Sequence, residues 1–301
     1  MKKCLFIINP KSGQNTIQPN IDRYIGNLII RKIINHVDVE FTTVKKNGYA
    51  LSFIASNDYD FIVAVGGDGT INEVIHGMID SKKTMPVALL CAGTVNDFAS
   101  FLQLPTSIDK FCDMIEQFYH VPCDVGKVNQ RYFINVAAAG MFSDVAINVS
   151  KEEKKLLGAL AYYLNGLISF PSQVQKQLNL KITLNHEEIF EDTFSLLLVT
   201  NTNRVGGFME VAPIASIHDG LLDLILIKKC NVAELANLSK DFLLKKHLSS
   251  PYIIYKQAKH IQIESNIQHD LDLDGEKGGT IPCTIKTIPS AIKIIVSKQK
   301  K

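Results

Sequence analysis

The apolar run Phe61-Ile62-Val63-Ala64 passes directly into Val65-Gly66-Gly67-Asp68-Gly69-Thr70 and then into Ile71-Asn72-Glu73-Val74-Ile75. A strand, a glycine turn and a helix start in that order put the turn at the carboxyl end of a strand, the edge where open α/β sheets bind ligands. The glycines allow close backbone approach, so that several N–H groups can converge on an anion, and the helix N-terminus adds its positive dipole end. Asp68 within the turn would repel a bare phosphate. Its presence points to Mg²⁺, or a metal-bound water, between carboxylate and polyphosphate, because hard oxygen ligands suit that ion. A plain glycine-rich connection would give the same letters, since short glycine motifs recur without function.

Two further loops carry related chemistry. Cys4-Leu5-Phe6-Ile7-Ile8 predicts a buried strand that leaves through Asn9-Pro10-Lys11-Ser12-Gly13, where Lys11, Ser12 and Gly13 suit a phosphate as well as an ordinary Asn-Pro turn. Val87-Ala88-Leu89-Leu90 leads into Cys91-Ala92-Gly93-Thr94-Val95-Asn96-Asp97-Phe98, where Asn96 and Asp97 are also suited to capping the helix that follows. Three strand-ending loops of this kind make coincidence a poor explanation.

The alternation extends through the first 120 or so residues, with strands expected near 4–9, 37–43, 60–66 and 85–91 and helices near 18–35, 48–57, 70–80 and 96–118. That pattern predicts a parallel sheet flanked by helices. From Asp124 onward the segments at 126–139, 178–184, 189–200, 221–227, 253–264 and 281–296 are strand-like, so a β-rich second domain is expected. The Asn-, Gly- and Pro-rich stretch 201–220 is the candidate functional loop there. At 301 residues and 46% apolar content the chain can bury two moderate cores. A formal net charge of +2 argues against nucleic acid as a partner through bulk electrostatics. The six cysteines are scattered without a C-x-x-C pair and read as reduced thiols of a cytoplasmic protein. No signal peptide is expected, and no transmembrane segment. The longest apolar stretch, Leu156–Leu164, is too short to span a bilayer and reads as core packing or as a hydrophobic rim for lipid entry.

Asn9–Gly13, Gly66–Thr70 with the following Ile71-Asn72-Glu73, and Gly93–Ala99 match, in order and approximate spacing, the motifs of the diacylglycerol kinase catalytic-domain family, especially its soluble bacterial lipid kinases and the related sphingosine and ceramide kinases. Gly206-Gly207-Phe208, Ala212-Pro213, Asp219-Gly220-Leu221-Leu222-Asp223 and Leu273-Asp274-Gly275-Glu276 look like second-domain motifs of that family, so the resemblance covers nearly the whole chain. NAD kinases share the glycine turn and phosphofructokinases have a similar one. The Asn96-Asp97-Phe98-Ala99 run and the late Asp-Gly-Glu look like the lipid-kinase branch.

The resemblance implies an α/β domain over 1–123, with a parallel sheet of the NAD kinase/phosphofructokinase-like kind, and a β-rich, sandwich-like domain over 124–301, with the nucleotide in the cleft between them. It implies ATP bound through Asn9, Pro10, Lys11, Ser12, Gly13, Thr43, Gly66, Gly67, Asp68, Gly69, Thr70, Glu73, Gly93, Thr94 and Asn96. Thr43 precedes Gly48-Tyr49-Ala50 by one residue more than the common family spacing. Asp68, with Asp97 and Asp124, would organise the catalytic Mg²⁺, while Asp219 and the carbonyls of Ser216 and Leu221 would hold a structural one. Asp274 or Glu276 would be the general base on the lipid hydroxyl; by spacing alone the same turn reads equally as a surface hairpin. Two departures stand out: Cys91 where the family usually has Pro, and Ser100 where it often has a basic residue. The expected activity is ATP- and Mg²⁺-dependent phosphorylation of a lipid hydroxyl, foremost diacylglycerol to phosphatidic acid, at the inner membrane face. Another lipid acceptor (phosphatidylglycerol or a sphingoid base), an NAD kinase-like activity, and a nucleotide-regulated lipid binder without turnover stay open, as does a homodimer.

Overall fold

The structure, a computed structural model, describes residues 1–12, 20–44, 47–92, 96–140, 177–207 and 210–298. It divides into two compact units, Met1–Cys123 with Ser290–Lys301, and Asp124–Pro289. The chain therefore returns to its first unit at the end, whereas the sequence reading carried the second domain through to residue 301.

The first unit is built on β1 (Lys2–Ile8), β2 (Ile34–Phe41), β3 (Phe61–Gly66) and β4 (Val87–Cys91), with helices α1 (Ile21–Ile30), α2 (Asn47–Ile54), α3 (Asp68–Asp80), α4 (Asp97–Phe101) and α5 (Ile108–Gln117). These four strands pair in parallel. Cys4–Ile8 lies in register with Phe61–Val65 on one side, and Cys4↔Val37 through Ile8↔Phe41 align on the other. β3 is buried along its whole length, as expected of a parallel strand covered on both faces. The spatial order is β4-β3-β1-β2, so successive strands run outward in opposite directions from the β1/β3 pair. The crevice at the carboxyl ends of that pair is the topological switch point, where open α/β sheets place ligands.

Two helix boundaries differ from the expected ones. The helix expected near 96–118 is split after Phe101, because Pro105 lacks an N–H and disfavours helix at Leu104, and Gln103 takes the left-handed φ of +53°. The helix expected near 18–35 stops earlier, with Lys32 at φ +56° just beyond α1, and β2 begins at Ile34.

The second unit contains β5 (His120–Val128, which enters it at Asp124), β6 (Arg131–Phe133), β7 (Val136–Gly140), β8 (Leu178–Leu184), β9 (Glu188–Thr200), β10 (Leu222–Lys228), β11 (Ile253–Ala258), β12 (His260–Glu264), β13 (His269–Leu273), β14 (Glu276–Ile281) and the first part of β15 (Cys283–Ile295). Pairing here is antiparallel. β9 is the spine, bonded to β7, β8 and β10, and it alternates between two cores: Phe194, Leu197 and Val199 pack with Leu224 and Leu226, whereas Leu196 and Leu198 pack with Ile225 and Ile227. Helix α6 (Val232–Leu243) contributes Leu235 and Leu238 to the second core. Burial of both faces explains why Leu224–Ile227 reads as an unbroken apolar run. The apolar stretch 156–164 lies outside the described residues. Among the described residues no helix is long and apolar enough to cross a membrane.

Candidate active site

In the first unit the loops after β1, β3 and β4 leave the same edge of the sheet, and the first two are tied together. Asn9 Nδ2 donates to Thr70 Oγ1 at 2.8 Å, and the Gly67 N–H donates to Ser12 Oγ at 3.2 Å. Asn9 is held in turn by its own N–H on the Val65 carbonyl (2.9 Å) and by the Lys11 N–H on its Oδ1 (3.0 Å). These bonds bridge β1 and β3 at the switch point. Gly67 occupies the N-cap position of α3 with no side-chain cap, so the amides that open this helix face the loop. A Cβ on Gly66 would lie 2.6 Å from Thr70 Cβ, which is why glycine stands there. The β4 loop joins through the Ala92 N–H on the Gly66 carbonyl, 2.7 Å. Lys11 is exposed.

Asp68 opens α3, where the helix dipole favours a negative charge. Burial pushes its carboxyl above the usual range, opposed by backbone N–H groups of Asn96 and of Asp68 itself. Asn96 reaches it by taking a left-handed φ of +50°, and its side chain makes no capping bond, so the capping alternative does not hold for this residue. Asp97 begins α4 and is 7% exposed. Cys91 lies close enough to Asp68 that, after burial, the carboxylate's charge raises its thiol further; a protonated thiol stands where the family usually has Pro. Glu73 reaches sideways, its Oε2 accepting the Gly48 N–H at 3.1 Å. It thereby fixes the start of α2, while Thr43 nearby is exposed and takes a long 3.4 Å contact from Asn47. Gly13, Gly93 and Thr94 lie outside the described residues.

In the second unit β13 and β14 form a hairpin whose two-residue turn, Asp274-Gly275, has φ +52° and +87°. Asp-Gly suits such a turn because both central residues must take positive φ. Asp274 is clamped. Its Oδ2 accepts the Ile134 N–H at 2.7 Å and its Oδ1 accepts those of Asn135 (2.9 Å) and Val136 (2.8 Å). Its own N–H donates to the Val136 carbonyl, 2.9 Å. Glu276, the first residue of β14, is only partly buried. Between Leu271↔Gly279 and Asp272↔Lys277 the register slips, leaving Gly278 as an extra residue; a Cβ there would lie 2.0 Å from Leu273 Cγ. Bulges of this kind bend a strand and re-aim its side chains.

The sequence reading passed over Asp272. Its Oδ1 accepts the Gly275 N–H at 2.7 Å, its Oδ2 is buried without a partner, and burial pushes the carboxyl up to about 6, with Asp274 and Glu276 adding to the rise. It also passed over Asn135, Asn201 and Thr202, although the last two fall in the stretch 201–220. The Asn201 N–H and the Thr200 hydroxyl both donate to the Asn135 carbonyl, at 2.9 and 3.0 Å, and Thr202 Oγ1 donates to Asn135 Oδ1. Asn201 Nδ2 bonds the carbonyls of Asp124 (2.8 Å) and Ile134 (3.1 Å). Asp124, only 1% exposed, accepts the Gly220 N–H on Oδ2 at 2.7 Å, and its own N–H meets the Ile217 carbonyl at 2.6 Å. Asp219 Oδ1 takes the Leu221 N–H, 2.9 Å. One polar network thus ties the hairpin turn, residues 134–136, the 200–204 segment and the 216–221 loop together. Asp124 belongs to that network and braces the loop, a job the sequence reading had not given it.

Oxygen donors suited to Mg²⁺ are present in both units, and among the described residues no three His, Cys, Asp or Glu side chains gather into a metal cage. Mg²⁺ is commonly held by one or two carboxylates and otherwise by waters and substrate phosphates.

Residues 3–128 match the diacylglycerol kinase catalytic domain and residues 135–296 the YegS C-terminal NAD kinase beta sandwich-like domain. A Bacillus subtilis protein named diacylglycerol kinase is 33% identical over 304 residues, covering 100% of this chain and 98% of its own. A Staphylococcus carnosus protein of the same name is 32% identical, with 100% and 97% covered. A crystal structure of a Bacillus anthracis protein assigned to the diacylglycerol kinases superimposes with TM-score 0.84 at 27% identity, over 98% of this chain and 95% of that one. An Archaeoglobus fulgidus NAD kinase, at TM-score 0.53 and 14% identity over 97% and 93%, shares the fold. With both halves matched and full-length relatives above 30% identity, the chain belongs to the diacylglycerol kinase family.

Proposed function

We propose that this enzyme transfers the γ-phosphate of ATP to the free hydroxyl of diacylglycerol, giving phosphatidic acid, while resting on the cytoplasmic face of a membrane. The observation that carries the proposal is the anion cradle at the β1/β3 switch point, where Ser12 now occupies the Gly67 N–H and Asn9 fixes Thr70. Full-length relatives named diacylglycerol kinase supply the acceptor class. Asn9, Pro10, Lys11, Ser12, Gly66, Gly67, Gly69 and Thr70, with Asn96 and the undescribed Gly13, Gly93 and Thr94, would enclose the phosphates. Thr43 and Glu73 border them.

Mg²⁺, when bound, supplies neutralisation of charge on the phosphate oxygens. Asp68 and Asp97 would hold its waters from the first unit. In the second unit the proton task would fall to Glu276, because backbone N–H groups already take up both oxygens of Asp274. Asp274 then orients the turn. Asp219, with the Ser216 and Leu221 carbonyls, would take a second, structural ion, braced by Asp124 through Gly220.

Labelled ATP offered with Mg²⁺ to diacylglycerol in mixed micelles, to sphingosine, to phosphatidylglycerol and to NAD tests the reading. Transfer to diacylglycerol well above the others is expected. Transfer to NAD alone, or ATP binding with no transfer to any acceptor, would overturn it.

A further inference from the structure

Residues 131–136 grip the β13–β14 hairpin on both sides of Glu276. On one side the Ile134, Asn135 and Val136 N–H groups hold the Asp274 carboxylate at 2.7, 2.9 and 2.8 Å. On the other, Arg131 Nη1 donates to the Lys277 carbonyl at 2.6 Å, across 146 positions of the chain. That carbonyl stands directly before Gly278, the extra residue of the register slip. A bulge disrupts the ladder locally, so the strand that carries Glu276 is least constrained by its own hairpin at this point. A short bond from a charged donor supplies the missing tie. The platform behind Arg131 is itself fixed. Val128↔Arg131 closes the β5–β6 hairpin, and Phe133 is fully buried, its ring in the space that a Cβ on Gly126 would need, 2.0 Å from Cζ. A Cβ on Gly279 would stand 3.7 Å from Val128 Cγ1, so β14 runs beside this hairpin.

We propose that Arg131 is a positioning residue for Glu276: by tethering the Lys277 carbonyl it fixes the start of β14, so that the Glu276 carboxylate meets the acceptor hydroxyl in a reactive pose. This rests on reading Glu276 as the base. The Arg131–Lys277 bond lies in an exposed place, where water can take over the carbonyl when the guanidinium is removed. Its loss therefore weighs on the placement of Glu276 more than on folding.

The test compares kcat, KM for ATP and thermal melts of the full chain in four forms: wild type, Arg131→Ala, Glu276→Gln and the double variant, with diacylglycerol in mixed micelles as acceptor. Arg131→Ala should melt near wild type, keep its KM for ATP and lose about 10- to 100-fold in kcat, the scale of loss that a misplacement of about 1 Å brings. Added to Glu276→Gln it should cost nothing further, because the group it positions no longer takes a proton. Arg131→Lys, which can still donate to a carbonyl, should recover part of the loss. Arg131→Met keeps the length of the stem without the donor and replaces Ala should that variant fold poorly. A wild-type kcat in a cooperatively melting Ala or Met variant would overturn the role of Arg131, as would an equal loss with and without Glu276→Gln. A wild-type kcat in Glu276→Gln alone would remove the base reading, and the proposal with it.

Discussion

Asp274 and Glu276 are two residues apart, yet the backbone directly holds the carboxylate of the first. Three backbone N–H groups point at Asp274. Replacing it with Ala would strand those amides, and unpaired amides each cost about 1–3 kcal/mol when water cannot reach them. Asp274→Ala should therefore lower stability by about 2 kcal/mol or more in urea denaturation. Glu276→Gln should leave the melting temperature near wild type and cut kcat about 10²–10⁴-fold, with KM for ATP little changed. Equal loss of ATP affinity in both would contradict this division. Asp68→Asn should abolish turnover and blunt its Mg²⁺ dependence, read from initial rates across a Mg²⁺ series. All three carboxylates are visible as letters. That backbone N–H groups hold Asp274 depends on residues 134–136, some 140 positions away, and no local pattern reveals that.

At the level of elements, the β13–β14 hairpin combines a positive-φ turn, a one-residue bulge at Gly278 and a buried acid at Asp272. The folded chain holds Asp272 near 6, above an ordinary carboxylate, so the native state binds its proton more tightly than the unfolded state does. Its charge therefore costs stability above about pH 6, and the cost fades as pH falls toward 4. Asp272→Asn keeps an acceptor for the Gly275 N–H and removes the charge. It should be more stable than wild type at pH 8, with the advantage shrinking between pH 7 and 4 in thermal melts. Gly278→Ala would drive a methyl into Leu273 and should lower both stability and kcat. Helix α6 was missed in the sequence, although Asn231 and Glu234 form a reciprocal capping box, which the order Asn-x-x-Glu before an apolar run announces. Asn231→Ala should cost about 1 kcal/mol in urea denaturation.

For the molecule as a whole, the alternation of strand and helix, the three strand-ending loops and the change to strand-rich sequence after Asp124 were legible directly, because periodicity and glycine placement are local properties. The return of Ser290–Lys301 to the first unit was not legible, since β15 is continuous in sequence while Ile261–Ile263 on β12 and Val87 on β4 pair with different parts of it. The sequence by itself determined the family, the α/β and β-rich halves, and which side chains can carry phosphate and metal chemistry. Tertiary structure decided how those side chains are engaged: Asp274 accepts three backbone N–H groups, Asp124 accepts that of Gly220, and Asp272 and Asp223 each keep one oxygen without a partner. A hydrogen bond depends on distance and direction between groups far apart in the chain, so this part of the chemistry is written only in the folded molecule.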